Sequence, residues 1–142
     1  IIMKRLLLIV LPLLLMVGCE DDKAAEEAVN PLVGVWEMTS ASTLVQSNPS
    51  TTITITKDAD NFETMILGED GTYSYSGKIN GEDDSGSGSW SSTANKLTII
   101  EDGETTIIDF SISGSTLTTT VSEAETDTNW GSVITIIYNK TS

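Results

Sequence analysis

Residues 70–100 read DGTYSYSGKINGEDDSGSGSWSSTANKLTII. Thr72-Tyr73-Ser74-Tyr75-Ser76 alternates with period two, so the tyrosines share one face of a strand and the small hydroxyls share the other. Asp70-Gly71 and Asn80-Gly81 are pairs that tolerate positive φ in tight hairpins. Asn95 turns the chain between Trp90 and Leu97. Strands here follow one another through short turns, with nothing helical between them.

The pattern continues on both sides. Thr52-Ile53-Thr54-Ile55-Thr56 and Ile108-Asp109-Phe110-Ser111-Ile112 alternate in the same way. Near the end, Ile134, Ile136 and Tyr138 share one face, while Val133 and Ile137 share the other. Asp102-Gly103 and Ser113-Gly114 supply further turns. Strands are expected over 33–40, 50–57, 62–67, 71–79, 86–92, 96–101, 104–112, 115–122 and 132–140. Without helices to carry parallel crossovers, they form an antiparallel meander. Closing into a barrel hides the edges of so long a meander. About eight strands leave an interior that side chains fill or that one small ligand occupies. A β-sandwich is the competing architecture, but only 41–49 and 122–131 could span two sheets. The short links favour an all-β, up-and-down barrel.

Composition agrees with this reading and narrows the function. Of the 142 residues, 39% are apolar and 20% charged, the rest being rich in Ser, Thr and Gly. Such a mixture suits pleated strands and tight turns. The formal charge of −14 argues against nucleic acid, whose binding rests on Lys and Arg against phosphate. There is no histidine and a single cysteine, Cys19. An internal disulfide, a Ser-His-Asp triad, a Cys-His pair and His/Cys metal clusters are thereby excluded.

The amino-terminal segment reads as an address. Met3 is taken as the start; Lys4 and Arg5 precede an uncharged apolar run from Leu6 to Val17. That run is shorter than the roughly 20 residues a spanning helix needs, and it fits the apolar region of a secretory signal. Met16-Val17-Gly18-Cys19 resembles the lipobox of bacterial lipoproteins. The resemblance implies cleavage before Cys19 and acylation of its thiol and new amino terminus. Several acyl chains satisfy the two-signal requirement for stable anchoring. Glu20, not Asp, follows the cysteine, so the inner-membrane retention rule is not triggered, and Cys19-Glu20-Asp21-Asp22 looks like an export signal of surface lipoproteins. The expected organisation is a signal peptide over 1–18, an acidic tether over 19–31 and one domain over 32–142. The expected location is the cell envelope, at the outer membrane.

Leu32-Val33-Gly34-Val35-Trp36 resembles the opening Gly-x-Trp motif of lipocalins. Asp70 to Tyr75, Gly88-Ser89-Trp90, Asn95 to Ile99 and the final run Ile134 to Lys140 look like the corresponding strands of bacterial lipocalin-like lipoproteins. The resemblance implies a lipocalin-like barrel in which Gly34 and Trp36 plug one end. Lipocalins also pack a late Arg over that Trp; the chain has no Arg after Arg5, which leaves Lys140 for the place.

The inward faces are expected to carry Trp36, Ile53, Ile55, Tyr73, Tyr75, Trp90, Leu97, Ile99, Phe110 and Ile112. Two readings stay open. In one, these side chains line a pocket for a small hydrophobic molecule, with Tyr73, Tyr75, Trp90 and Phe110 as contacts. In the other they fill the core, and the protein is a structural or interaction module of the envelope. Glu82-Asp83-Asp84 and the group Asp58, Asp60 and Glu63 read as solvated turn charge, since neither matches a calcium loop. Acids in exposed turns lack the fixed separation and raised pKa that glycoside hydrolysis needs. No enzyme, cofactor or metal site is expected, and the protein is expected to be a monomer.

Overall fold

A computed structural model describes residues 28–142. The expected signal peptide, Cys19 and most of the expected tether lie outside the described residues. Nine strands follow in order: β1 (Gly34–Val45), β2 (Thr51–Thr56), β3 (Phe62–Leu67), β4 (Thr72–Ile79), β5 (Glu82–Thr93), β6 (Lys96–Glu101), β7 (Glu104–Ser113), β8 (Thr116–Glu123) and β9 (Ser132–Lys140). There is no helix among the described residues.

Every pairing is antiparallel, and β9 returns to β1 from Trp36↔Lys140 to Val45↔Ser132. Eight strands, β1 and β3 to β9, thereby close into a barrel, with β2 as an addition. The hairpin pairs act as their chemistry predicts. Asn80-Gly81 and Asp102-Gly103 both take positive φ at each residue, the twist that suits two-residue hairpins.

Three details depart from the expected meander. First, β2 and β3 do not pair with each other; both pair with β1 on one edge, β2 along Ser40–Val45 and β3 along Gly34–Glu37. They are two halves of one strand position. The break between them is held by the Asp58 carboxylate, which accepts the Asp60 and Asn61 backbone N–H groups at 2.8 Å. Second, β1 runs on to Val45 rather than ending near residue 40. Its register with β9 slips between Met38 and Ser40, a bulge at Thr39. The bulge switches the inward parity from Trp36 and Met38 to Ala41 and Thr43, which masks the alternation in the sequence. Third, Glu82-Asp83-Asp84 is strand, not turn: Ile79↔Glu82, Lys78↔Asp83 and Gly77↔Asp84 are cross-strand partners, and Lys78 Nζ meets Asp83 at 2.9 Å.

The core occupies one end of the barrel. Leu32, Trp36, Leu67, Leu97 and Leu117 are fully buried, with Met38, Met65, Ile99 and Tyr138 nearly so. Each such side chain contributes about 1.5–3 kcal/mol relative to exposure. Trp36 Nε1 donates to the Leu32 carbonyl at 2.7 Å, which ties the entering segment across this end. Lys140 Nζ stands 5.3 Å from the Trp36 ring centroid and donates to the Pro31 carbonyl. Lys140, the residue expected over Trp36, thus stands within cation–π reach of the indole. Gly34 permits the arrangement. Its φ is +142°, and a Cβ there would collide with the Ser142 carbonyl and the Lys140 stem. Ile53, expected inside, is 56% exposed, because β2 has β1 on one edge and no strand on the other.

Candidate functional site

Beyond that packed end the barrel holds a cavity of about 280 Å³. Its apolar floor includes Met65, Leu97 and Ile99, and its wall includes Ile108, Ile134 and Ile136. A second hollow of about 240 Å³ adjoins it, sharing Glu63, Ile134 and Ile136 and adding Met38, Ile55 and Phe62. The interior is neither a solid core nor a deep calyx.

Tyr73 and Tyr75 line the cavity from β4, their ring centroids 5.8 Å apart and tilted by 34°. The period-two run that opens the sequence reading turns both the same way. Trp90 and Phe110, expected beside them, do not line the cavity. They face inward but further toward the packed end: Trp90 follows Gly86 and Gly88 on β5, and Phe110 follows Thr106 and Ile108 on β7. Trp90 Nε1 donates to the Gly68 carbonyl at 2.9 Å, and Phe110 packs against the buried cluster. Gly34 and Trp36 lie at the packed end, with Trp36 fully buried.

Four ionisable groups of the cavity were not expected there: Glu63, Asp84, Glu101 and Tyr138. Strand parity was the available signal. Glu63 shares its face with Met65 and Leu67, Glu101 with Leu97 and Ile99, and Asp84 with Gly86 and Trp90. Each acid continues an inward row rather than a turn. This corrects the reading of Glu63 as solvated turn charge; Asp84 lies on β5 rather than in a turn but is exposed as expected, and Asp58 and Asp60 do lie in the exposed β2–β3 turn.

The electrostatics follow from that placement. The Tyr138 hydroxyl donates to Glu63 Oε1 at 2.6 Å, linking β9 to β3 across the interior. Burial raises the Glu63 carboxyl above its ordinary range; the Tyr138 hydrogen bond opposes the rise and the Asp84 charge adds to it. Burial, then the Glu63 charge, pushes the Tyr73 and Tyr138 hydroxyls far up, so both are neutral donors at physiological pH. Tyr75 is raised in the same sense, by desolvation and by Asp84 and Glu101. The Tyr75 hydroxyl lies 3.5 Å from Asp84 Oδ1. No group of three or more acids, cysteines or histidines among the described residues forms a metal site.

No curated protein and no solved structure matches the chain. A profile of the lipocalin-like domain matches residues 32–119, from the segment that crosses the packed end into β8. Barrels of this kind generally bind small hydrophobic molecules and are typically non-enzymatic. The closed eight-stranded barrel and the profile agree, and the chain belongs to the lipocalin-like domain family.

Proposed function

We propose that this protein is a lipid-anchored lipoprotein of a bacterial cell envelope whose barrel binds or carries a small hydrophobic molecule. The observation that carries the reading is the cavity of about 280 Å³, with an apolar floor and the Tyr73 and Tyr75 hydroxyls as polar fixtures. That volume lies just below the usual span of small-molecule sites, roughly 300–1,000 Å³, and the adjoining hollow of about 240 Å³ extends it. It favours a ligand-binding barrel over a filled module that works only by its surface. Gly34 and Trp36 act as the plug that keeps the ligand from passing through.

Anchoring rests on Met16-Val17-Gly18-Cys19 behind a basic and apolar segment. Cys19 carries the acyl chains, residues 20–31 form the tether, and the barrel stands at the outer membrane. Two measurements test the two halves of the proposal. Native mass spectrometry of the protein purified gently from its own source should show a retained small molecule; a bare chain would count against the binding role. Replacing Cys19→Ser should move the protein from the membrane to the soluble fraction with its β circular dichroism intact. Retention that still requires detergent would sink the anchor.

A further inference from the structure

We propose that the cavity selects organic cations, namely amphiphilic amines whose ammonium group sits among Glu63, Asp84 and Glu101 while the apolar body lies on the Met65–Leu97–Ile99 floor. This rests on the barrel being a small-molecule site and adds the charge of what enters it. The three carboxylates line one cavity, and no Lys or Arg lines it with them. Nor do the described residues hold a lysine or arginine that could turn to the cavity without breaking another contact. Among the described residues there are four lysines and no arginine. Lys57 pairs with Glu37, Lys78 with Asp83 and Lys96 with Asp109, while Lys140 lies over Trp36. The cavity therefore carries negative charge that no lining cation compensates, with Glu63 and Glu101 half-buried and Asp84 exposed, and such charge is costly when a ligand displaces its water. A ligand ammonium relieves that cost; a fatty acid, carrying its own carboxylate, adds to it.

The aromatic groups suit the same ligand. Tyr73 and Tyr75 present tilted rings in the cavity, and ring faces attract ammonium groups within about 6 Å. Gly86 brings one of those rings to a carboxylate. A Cβ at that position would collide with both the Glu101 carboxylate and the Tyr75 ring, so the bare glycine lets the two converge over β5. The adjoining hollow offers Met38, Ile55, Phe62 and Ile79 as apolar surface next to Glu63 for the rest of an amphiphile; Lys78 also lines it, with its ammonium paired to Asp83.

The experiment compares three probes that share an octyl chain: octylammonium, octanol and octanoate. Each is titrated calorimetrically into the full chain at pH 7 and low salt. The expected result is octylammonium binding at least about tenfold tighter than octanol, a difference of about 1.4 kcal/mol, with octanoate weakest. Raising the salt should shrink the preference. In the D84N/E101Q variant, whose changes sit outside the buried core, octylammonium and octanol should bind within about threefold of each other. Octanol or octanoate binding as tightly as octylammonium would overturn the cation preference while leaving the binding role intact. An amine preference that survives D84N/E101Q would show that Asp84 and Glu101 do not seat the cation, and would overturn the three-carboxylate seat. Failure of all three probes to bind would overturn the binding role, and this inference with it.

Discussion

Trp36→Phe tests whether the packed end of the barrel is sealed. Trp36 is fully buried, its indole N–H donates to the Leu32 carbonyl at 2.7 Å, and the Lys140 ammonium stands over its ring. Phenylalanine keeps an aromatic plug but removes the donor and part of the ring. Leaving the Leu32 carbonyl buried without a partner costs about 1–3 kcal/mol. The smaller ring loses apolar burial and leaves a void worth about 1–2 kcal/mol. The sum, about 2–5 kcal/mol, is a large part of the roughly 5–15 kcal/mol by which domains are stable. Urea unfolding followed by far-UV circular dichroism should therefore show a midpoint lower by about 1–2 M with an unchanged slope. Trp90 and Trp130 remain as a second, fluorescent probe of the same transition. A shift below about 0.3 M at constant slope would mean that water satisfies the Leu32 carbonyl and that this end is open, which would refute the plug.

Three further outcomes are expected. Lys140→Ala should destabilise by about 0.5–1 kcal/mol while Lys140→Arg should restore the loss, because a guanidinium also stacks on the ring; equal urea midpoints for all three chains would remove the cation–π contact. Glu63 has a folded pKa raised above its ordinary 4.5, so its contribution is fully present below that value and is lost as pH rises through the folded one. Glu63→Gln should accordingly gain stability relative to the wild type as pH rises from 4.5 toward 7, and thermal melts showing a difference that falls or stays flat would contradict the assignment. Gly88→Ala should cost about 1–3 kcal/mol in thermal melts, since its Cβ would strike the Ile100 carbonyl of the neighbouring strand and no rotamer change can relieve a backbone clash; an unchanged melting temperature would show that β5 and β6 can part freely.

Much of the fold was legible because its information is local. Asn80-Gly81 and Asp102-Gly103 specify their hairpins within two residues, and the runs at 72–76, 108–112 and 134–138 each declare a face. Legibility failed where a local signal was ambiguous. The bulge at Thr39 broke the alternation of β1, so its second half read as loop. The acids of 82–84 read as turn because nothing near them in the sequence shows that Lys78 lies opposite Asp83. β2 and β3 read as consecutive partners, whereas both lie along one edge of β1.

The candidate site was less legible than the barrel. Tyr73 and Tyr75 were found because two aromatics two residues apart must share a face. Glu63, Asp84 and Glu101 were passed over because charge outweighed parity in reading them. Trp90 and Phe110 have the right parity but the wrong height: alternation tells in from out and says nothing of position along the barrel axis.

The sequence by itself determines most of the strands, the tight hairpins between them and the alternation of faces away from the β1 bulge, since each depends on residues within a few positions of one another. Closure of β9 onto β1 joins residues about a hundred positions apart, from Trp36↔Lys140 to Val45↔Ser132, and only the tertiary structure decides it. The acidity of the cavity is decided there as well. Glu63, Asp84 and Glu101 come from three different strands, and their common field exists only once the barrel brings those strands around one hollow.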